Sequence, residues 1–297
     1  MRLASHGGVN FRDTQRLRIL RVRKTVYQLL RYRAGCPKTV GLIVGCQRSG
    51  TSLLSHIFRL DLDCRTYDEK SVLSSRDTED NGFRLDPVPE VRERLRADRA
   101  PLVVLKPLVE SQRTRALLDD LPGSRAIWCY RDYRAVAASN VAYFRRHLNA
   151  VRDLEPIVAG DPRNWRSERL SVETREQVRS LFSPDMDLHA AAALFWWVRN
   201  RLYFEQDLGA DERVTLCRYE DLVSQPADAM RSIYRFLGRP YPGDRIVGDV
   251  VTTSRRRGRE IELPAPIQRL CDDTLAELDA VNAAEIVASG RDRVRSE

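Results

Sequence analysis

Apolar residues in this chain fall into short, evenly separated runs, and polar or periodic stretches fill the gaps. Residues 40–44, 101–105, 125–130 and 213–217 are largely apolar runs of strand length, the mark of strands buried on both faces. After each run the spacing becomes helical. Leu53, Leu54, Ile57 and Phe58 follow the first run, and residues 114–121 follow the second. Val136, Ala137, Val141 and Phe144 mark a helix over 134–148. Residues 188–208, with Phe195, Trp196 and Trp197, predict a long apolar helix whose aromatic residues belong to the core, and 226–237 predict a helix with proline in its first turn. Alternating strands and helices predict an α/β fold, a P-loop-type central parallel β-sheet flanked by helices on both faces. Residues 61–80 are polar and irregular, and a short charged helix follows Pro87 and Pro89.

The same pattern sets the expected organisation. Residues 1–36 form a basic amphipathic segment, and 37–297 a single α/β domain in which the polar, proline-bearing 151–185 reads as an insertion or lid. Over 11–33, Leu, Ile, Val and Tyr alternate with eight basic residues and suggest a cationic helix packed on its own domain, with a partner or an anionic membrane as the alternatives. No internal repeat stands out.

Composition narrows the class. With 297 residues, 42% of them hydrophobic and 31% charged, the chain is globular and can bury a substantial core. The net charge of +8 favours an anionic substrate or partner, and with only Lys24, Lys38, Lys70 and Lys106 as lysines the cations are overwhelmingly arginine, whose planar fork suits phosphate and sulfate. Cys36, Cys46, Cys64, Cys129, Cys217 and Cys271 contain no C-x-x-C pair and are expected to be reduced and non-metallic. No apolar stretch approaches a signal peptide or the roughly 20 residues of a membrane span, so a cytoplasmic location without a transmembrane segment is expected.

The candidate chemistry begins at Gly45-Cys46-Gln47-Arg48-Ser49-Gly50-Thr51-Ser52, between the first strand and its helix. Backbone N–H groups in such a turn converge on one point and the helix dipole adds to them, which suits an anion. The glycine spacing is that of a nucleotide P-loop, but Thr51 stands where lysine should be and the cation is Arg48. In a parallel sheet, ligands gather at the carboxyl ends of the strands. The other three predicted strands end at Lys106, Arg131 and Tyr219, and Ser139 lies eight residues beyond Arg131. Three cations and an aromatic ring with a polar tip describe a site for a nucleotide with separate phosphate groups.

These residues resemble those of the sulfotransferase superfamily that uses 3′-phosphoadenosine 5′-phosphosulfate (PAPS), in its bacterial form with Arg in the phosphosulfate loop. The loop at Arg48, Ser49, Gly50, Thr51 and Ser52 is similar to the family's 5′-phosphosulfate loop, Arg131 through Ser139 to its 3′-phosphate segment, and Tyr219-Glu220-Asp221-Leu222 to its third recurring element, where the Tyr approaches the nucleotide. Arg256 and Arg257 fall where many members close a basic loop over the 3′-phosphate, although the tryptophan that often follows is absent. The resemblance implies in-line transfer of a sulfuryl group to a hydroxyl or amine, leaving 3′,5′-diphosphoadenosine, with no metal required. Arg48 and Lys106 would be its catalytic cations.

The expected base is less direct. The position two residues after Lys106, where cytosolic members carry His, is Leu108. Glu69 occupies the place used by tyrosylprotein and several bacterial members, with Asp68 and Glu110 as alternatives; His56 and His147 fall in helices. Competing functions are a P-loop kinase or NTPase, which expects lysine at position 51 and an acidic strand end for magnesium, and a non-catalytic binder of acidic polymers, which predicts steep salt dependence and leaves the strand ends unexplained. A sulfotransferase fold that binds donor without turnover is a further alternative. The acceptor, whether small molecule, carbohydrate, lipid or peptide, is not encoded in a recognisable motif. No nucleic-acid partner is expected, and a homo-oligomer is left open.

Overall fold

The computed structural model describes residues 14–76, 82–144, 150–251 and 261–295. A helix, α1 (Thr14–Arg31), precedes the first strand, β1 (Thr39–Gly45), which runs through the glycine loop into α2 (Thr51–Leu60). Next come β2 (Cys64–Tyr67), the antiparallel pair β3 (Ser74–Arg76) and β4 (Phe83–Leu85), α3 (Val88–Ala97) and β5 (Leu102–Leu105). A 3-10 turn over Leu108–Arg113 leads into α4 (Thr114–Asp120), β6 (Ser124–Tyr130) and α5 (Tyr133–Phe144). Helices α6 (Ala150–Ala159), α7 (Val172–Leu181) and α8 (Leu188–Glu205) precede β7 (Val214–Arg218), and α9 (Tyr219–Ser224), α10 (Pro226–Phe236) and α11 (Ala265–Arg295) follow it.

Five strands form one wholly parallel sheet in the order β2-β5-β1-β6-β7. The pleat of β1 divides the core. Val40, Leu42 and Val44 point into a cluster with Trp128, Tyr130 and the apolar face of α8, whereas Ile43 joins Leu54, Phe58, Ile233 and Tyr234 from α2 and α10 on the other face. Helices therefore cover both faces, as the apolar runs predict. Trp196 and Phe195 are buried in this core. Leu154, Ile157 and Val178 of α6 and α7 pack into the same cluster, so the 151–185 stretch carries ordered helices against α8.

The polar stretch 61–80 differs from its irregular reading, because it contains two strands. β2 is an edge strand in which Cys64 alone is fully buried while Arg65, Thr66 and Tyr67 are half-exposed, so it carries no apolar run. Its register matters for the site: Tyr67 pairs with Leu105, and the Lys106 N–H donates to the Tyr67 carbonyl at 2.9 Å, bringing the residues after β2 level with Lys106. Helix α1 covers this edge. The Gln28 side-chain amide donates to the Leu62 and Cys64 carbonyls, and Lys24 Nζ donates to the Arg59 carbonyl. All six cysteines are free thiols, and burial raises those of Cys46, Cys64 and Cys271.

Candidate functional site

All five parallel strands point their carboxyl ends at one edge, and the sheet order arranges what they deliver. Across that edge stand Asp68 and Glu69 after β2, Lys106 after β5, the glycine loop after β1, Arg131 after β6 and Tyr219 after β7. The loop sits at the centre with cations on either side.

The loop's shape requires its glycines. Gly45 has φ 114°, and a Cβ there would lie 2.3 Å from the Cys129 carbonyl oxygen; Gly50 has φ 91°, and a Cβ would lie 2.4 Å from Cδ2 of Tyr219. The buried Ser111 hydroxyl braces the turn, accepting from the Gly45 N–H at 3.0 Å while donating to the Leu108 carbonyl at 2.8 Å. Helix α2 then starts with no capping side chain, which leaves its first-turn N–H groups and dipole open to an anion.

Arg48 is held in the left-handed region at φ 68°, a conformation that costs a non-glycine residue roughly 1 kcal/mol and so marks a constrained turn. Its Nε donates to the Ser139 hydroxyl at 3.1 Å, and its guanidinium lies 4.3 Å from the centre of the Tyr143 ring. No sequence motif marks Tyr143, which stands one helical turn after Ser139 on α5 and so shares its face. These contacts join the loop to the segment after β6.

Arg131 is buried, and its carbonyl accepts from the Trp196 indole N–H at 3.0 Å. Its guanidinium lies 4.1 Å from the centre of the Tyr219 ring, so that ring is held between Arg131 and Gly50. Next along α9, Glu220 accepts from the Asp132 N–H at 3.3 Å, and burial pushes its carboxyl above the ordinary carboxylate range. Asp132 caps α5 by accepting from the Ala135 N–H at 3.1 Å.

On the opposite flank, buried Lys106 donates to the Ser52 hydroxyl at 3.3 Å and stands 3.4 Å from Glu69 Oε2 and 3.8 Å from Asp68 Oδ1. The three candidate carboxylates differ in their surroundings. Asp68 is tied to α2, accepting from Ser55 Oγ at 2.8 Å and pairing with Arg59. Glu110 is buried among Arg84 (2.6 and 3.1 Å), Arg113 (3.5 Å) and the Leu85 N–H (3.3 Å), a structural commitment. Glu69 has Lys106 as its ion-pair partner and stays about one third exposed. His56 is buried against α2's neighbours, 4.0 Å from Asp249, and desolvation, with Arg59 adding, lowers its pKa. Arg256, Arg257 and His147 lie outside the described residues. Among the described residues no cluster of three His, Cys, Asp or Glu side chains could hold a metal ion.

The fold is a parallel α/β sheet whose carboxyl edge carries Arg48, Lys106 and Arg131 beside a helix that starts without a side-chain cap. The sulfotransferase domain family matches residues 38–256, and the chain belongs to that family. It is a sulfotransferase. Among solved structures, a sulfotransferase from Alicyclobacillus acidocaldarius superposes with a TM-score of 0.50 at 16% identity, covering 84% of this chain and 97% of its own. The sulfotransferase domain from the curacin biosynthetic pathway gives 0.48 at 15% identity, covering 80% and 97%. A mouse sulfotransferase complexed with PAP gives 0.36 at 12% identity, covering 94% and 93%. Comparison with curated protein sequences finds no match.

Proposed function

We propose that this sulfotransferase draws on PAPS and delivers the sulfuryl group in line to an acceptor hydroxyl, with Glu69 as general base. The observation that carries the reading is the order of the strand ends: a carboxylate and a lysine on one side of the anion loop, a buried arginine and an aromatic ring on the other. The residues present fit such a donor. The open first turn of α2 and the loop N–H groups suit a 5′-phosphosulfate, and Arg131 with Ser139 suits the second phosphate. When bound, PAPS supplies the sulfuryl group, and 3′,5′-diphosphoadenosine departs.

The chain's own residues then have distinct tasks. Arg48, fixed by its left-handed backbone and by Ser139, holds positive charge at the loop where the leaving phosphate gains negative charge. Lys106 bridges Ser52 at the head of α2 and Glu69, so it can steady the transferring group while the neighbouring carboxylate takes the acceptor's proton. Glu69 is exposed enough to meet an acceptor arriving from solvent, and Asp68 and Glu110 are already occupied.

The test separates binding from chemistry. In Glu69→Gln, labelled-sulfate transfer from PAPS into a metabolite extract should fall by about a hundredfold or more. Affinity for 3′,5′-diphosphoadenosine should stay the same or tighten, because Lys106 loses its competing carboxylate. Turnover at the wild-type level would move the base elsewhere.

A further inference from the structure

Helix α1 is amphipathic in the reverse sense to a core-packed helix. The side chains it turns to the domain are polar: Lys24 and Gln28 are buried, and both donate to backbone carbonyls of the α2–β2 connection and β2. Five of its apolar side chains face away, while Leu20 is half-buried on the flank beside Lys24. Ile19, Val22, Val26, Leu29 and Leu30 recur at three- and four-residue spacing, and at about 100° per residue they form one stripe opposite Gln28. They are between 50% and 85% exposed. Of the twelve large apolar side chains exposed among the described residues, these five alone form a continuous stripe, so the feature exceeds ordinary surface scatter.

Charge selects the occupant. Helix α1 contains no Asp or Glu; exposed Arg23 borders the stripe beside Leu30, and Arg21 and Arg31 are exposed on the flanks nearer Gln28 and Lys24, with Arg33 just beyond. A second copy packed stripe to stripe would bring these cations against their equals, whereas an anionic surface would neutralise them. A cavity of about 310 Å³ opens beside Leu29, lined by Thr25 and Gln28 of α1 and by Arg65, Arg94 and Arg99. Asp98 also lines it, 3.9 Å from Arg65, and offsets one of the three charges. Among the described residues no helix is long and apolar enough to cross a bilayer, so the stripe is suited to lying in a membrane interface.

We propose that α1 seats this protein on an anionic phospholipid bilayer, its apolar stripe entering the headgroup boundary and the Arg65, Arg94 and Arg99 cavity receiving a lipid phosphate. The active edge of the sheet is then carried at a membrane surface by a helix that also seals strand β2.

Vesicle co-sedimentation of the full chain tests this. Wild-type protein should partition onto phosphatidylcholine vesicles containing phosphatidylglycerol at least about tenfold more than onto phosphatidylcholine alone, and salt should weaken the binding. The double substitution Val26→Glu and Leu30→Glu, at exposed positions, should abolish partition while the circular dichroism spectrum and thermal midpoint stay unchanged. Arg94→Glu with Arg99→Glu should remove the preference for phosphatidylglycerol. Equal partition of wild type and the Val26/Leu30 variant, or no binding to phosphatidylglycerol vesicles, overturns the proposal. So does a dimer in sedimentation equilibrium without vesicles that the Val26/Leu30 variant dissociates, since a second copy would then own the stripe.

Discussion

Ser139 joins the glycine loop after β1 to helix α5. Its hydroxyl accepts from Arg48 Nε at 3.1 Å, so a side chain on α5 fixes the direction of a guanidinium in the loop after β1. Arg48 also rests on the Tyr143 ring, a contact that does not involve the Ser139 hydroxyl. Ser139→Ala should therefore weaken 3′,5′-diphosphoadenosine binding by about 0.5–1.5 kcal/mol, a factor of up to roughly ten, without unfolding the protein. Arg48→Ala, which removes the charge itself, should cost more than Ser139→Ala in both affinity and turnover. Calorimetric titration of both variants measures this, and equal affinities for Ser139→Ala and wild type would break the proposed link between loop and α5.

At the level of elements, the site is held in register by contacts between strand ends and the pieces packed behind them. Glu110 is the clearest case: its buried carboxylate joins Arg84 of β4 and Arg113 of the 3-10 turn, and Arg84 reaches on to Glu168 at 2.9 Å. Glu110→Gln removes one partner of a buried pair and should lower unfolding free energy by about 3 kcal/mol in chemical denaturation. An unaltered stability with lost turnover would instead return Glu110 to the list of bases. How far such elements could be read from the sequence depended on burial. β1, β5, β6 and β7 are central or covered on both faces and announce themselves as apolar runs, so Lys106, Arg131 and Tyr219 could be placed at strand ends. β2 lies at the edge, with Arg65 and Tyr67 half in solvent, and its polar sequence hid the strand that levels Glu69 with Lys106. α11 was equally hidden, because its core-facing positions, Ile267, Cys271, Thr274 and Leu278, include a small thiol and a hydroxyl. Side-chain pairings such as Arg48 with Ser139, or Arg131 with Tyr219, join residues about ninety apart and have no local signal.

For the whole molecule, charge and protonation matter as sums over the fold. His56 is buried in α2, and desolvation, reinforced by Arg59, holds its pKa below the ordinary 6.5. The folded state therefore takes up a proton less readily than the unfolded chain. The stability this contributes is present above about pH 6.5 and is lost as pH falls through the lower folded value. Thermal melts from pH 7 downward should show a declining midpoint that is shallower in His56→Gln, and parallel declines in both proteins would assign the acid limb to other groups. The central claim is that the five strand ends form one donor site for a nucleotide with two separate anions. Isothermal titration of 3′,5′-diphosphoadenosine without magnesium, into wild type and Arg131→Ala, tests it most directly. The account predicts saturable binding to wild type, tighter than ATP with magnesium, and a loss of about tenfold or more in Arg131→Ala, the size of a charge-assisted contact in a buried site. No binding of the diphosphoadenosine, or equal affinity in the two proteins, would contradict it.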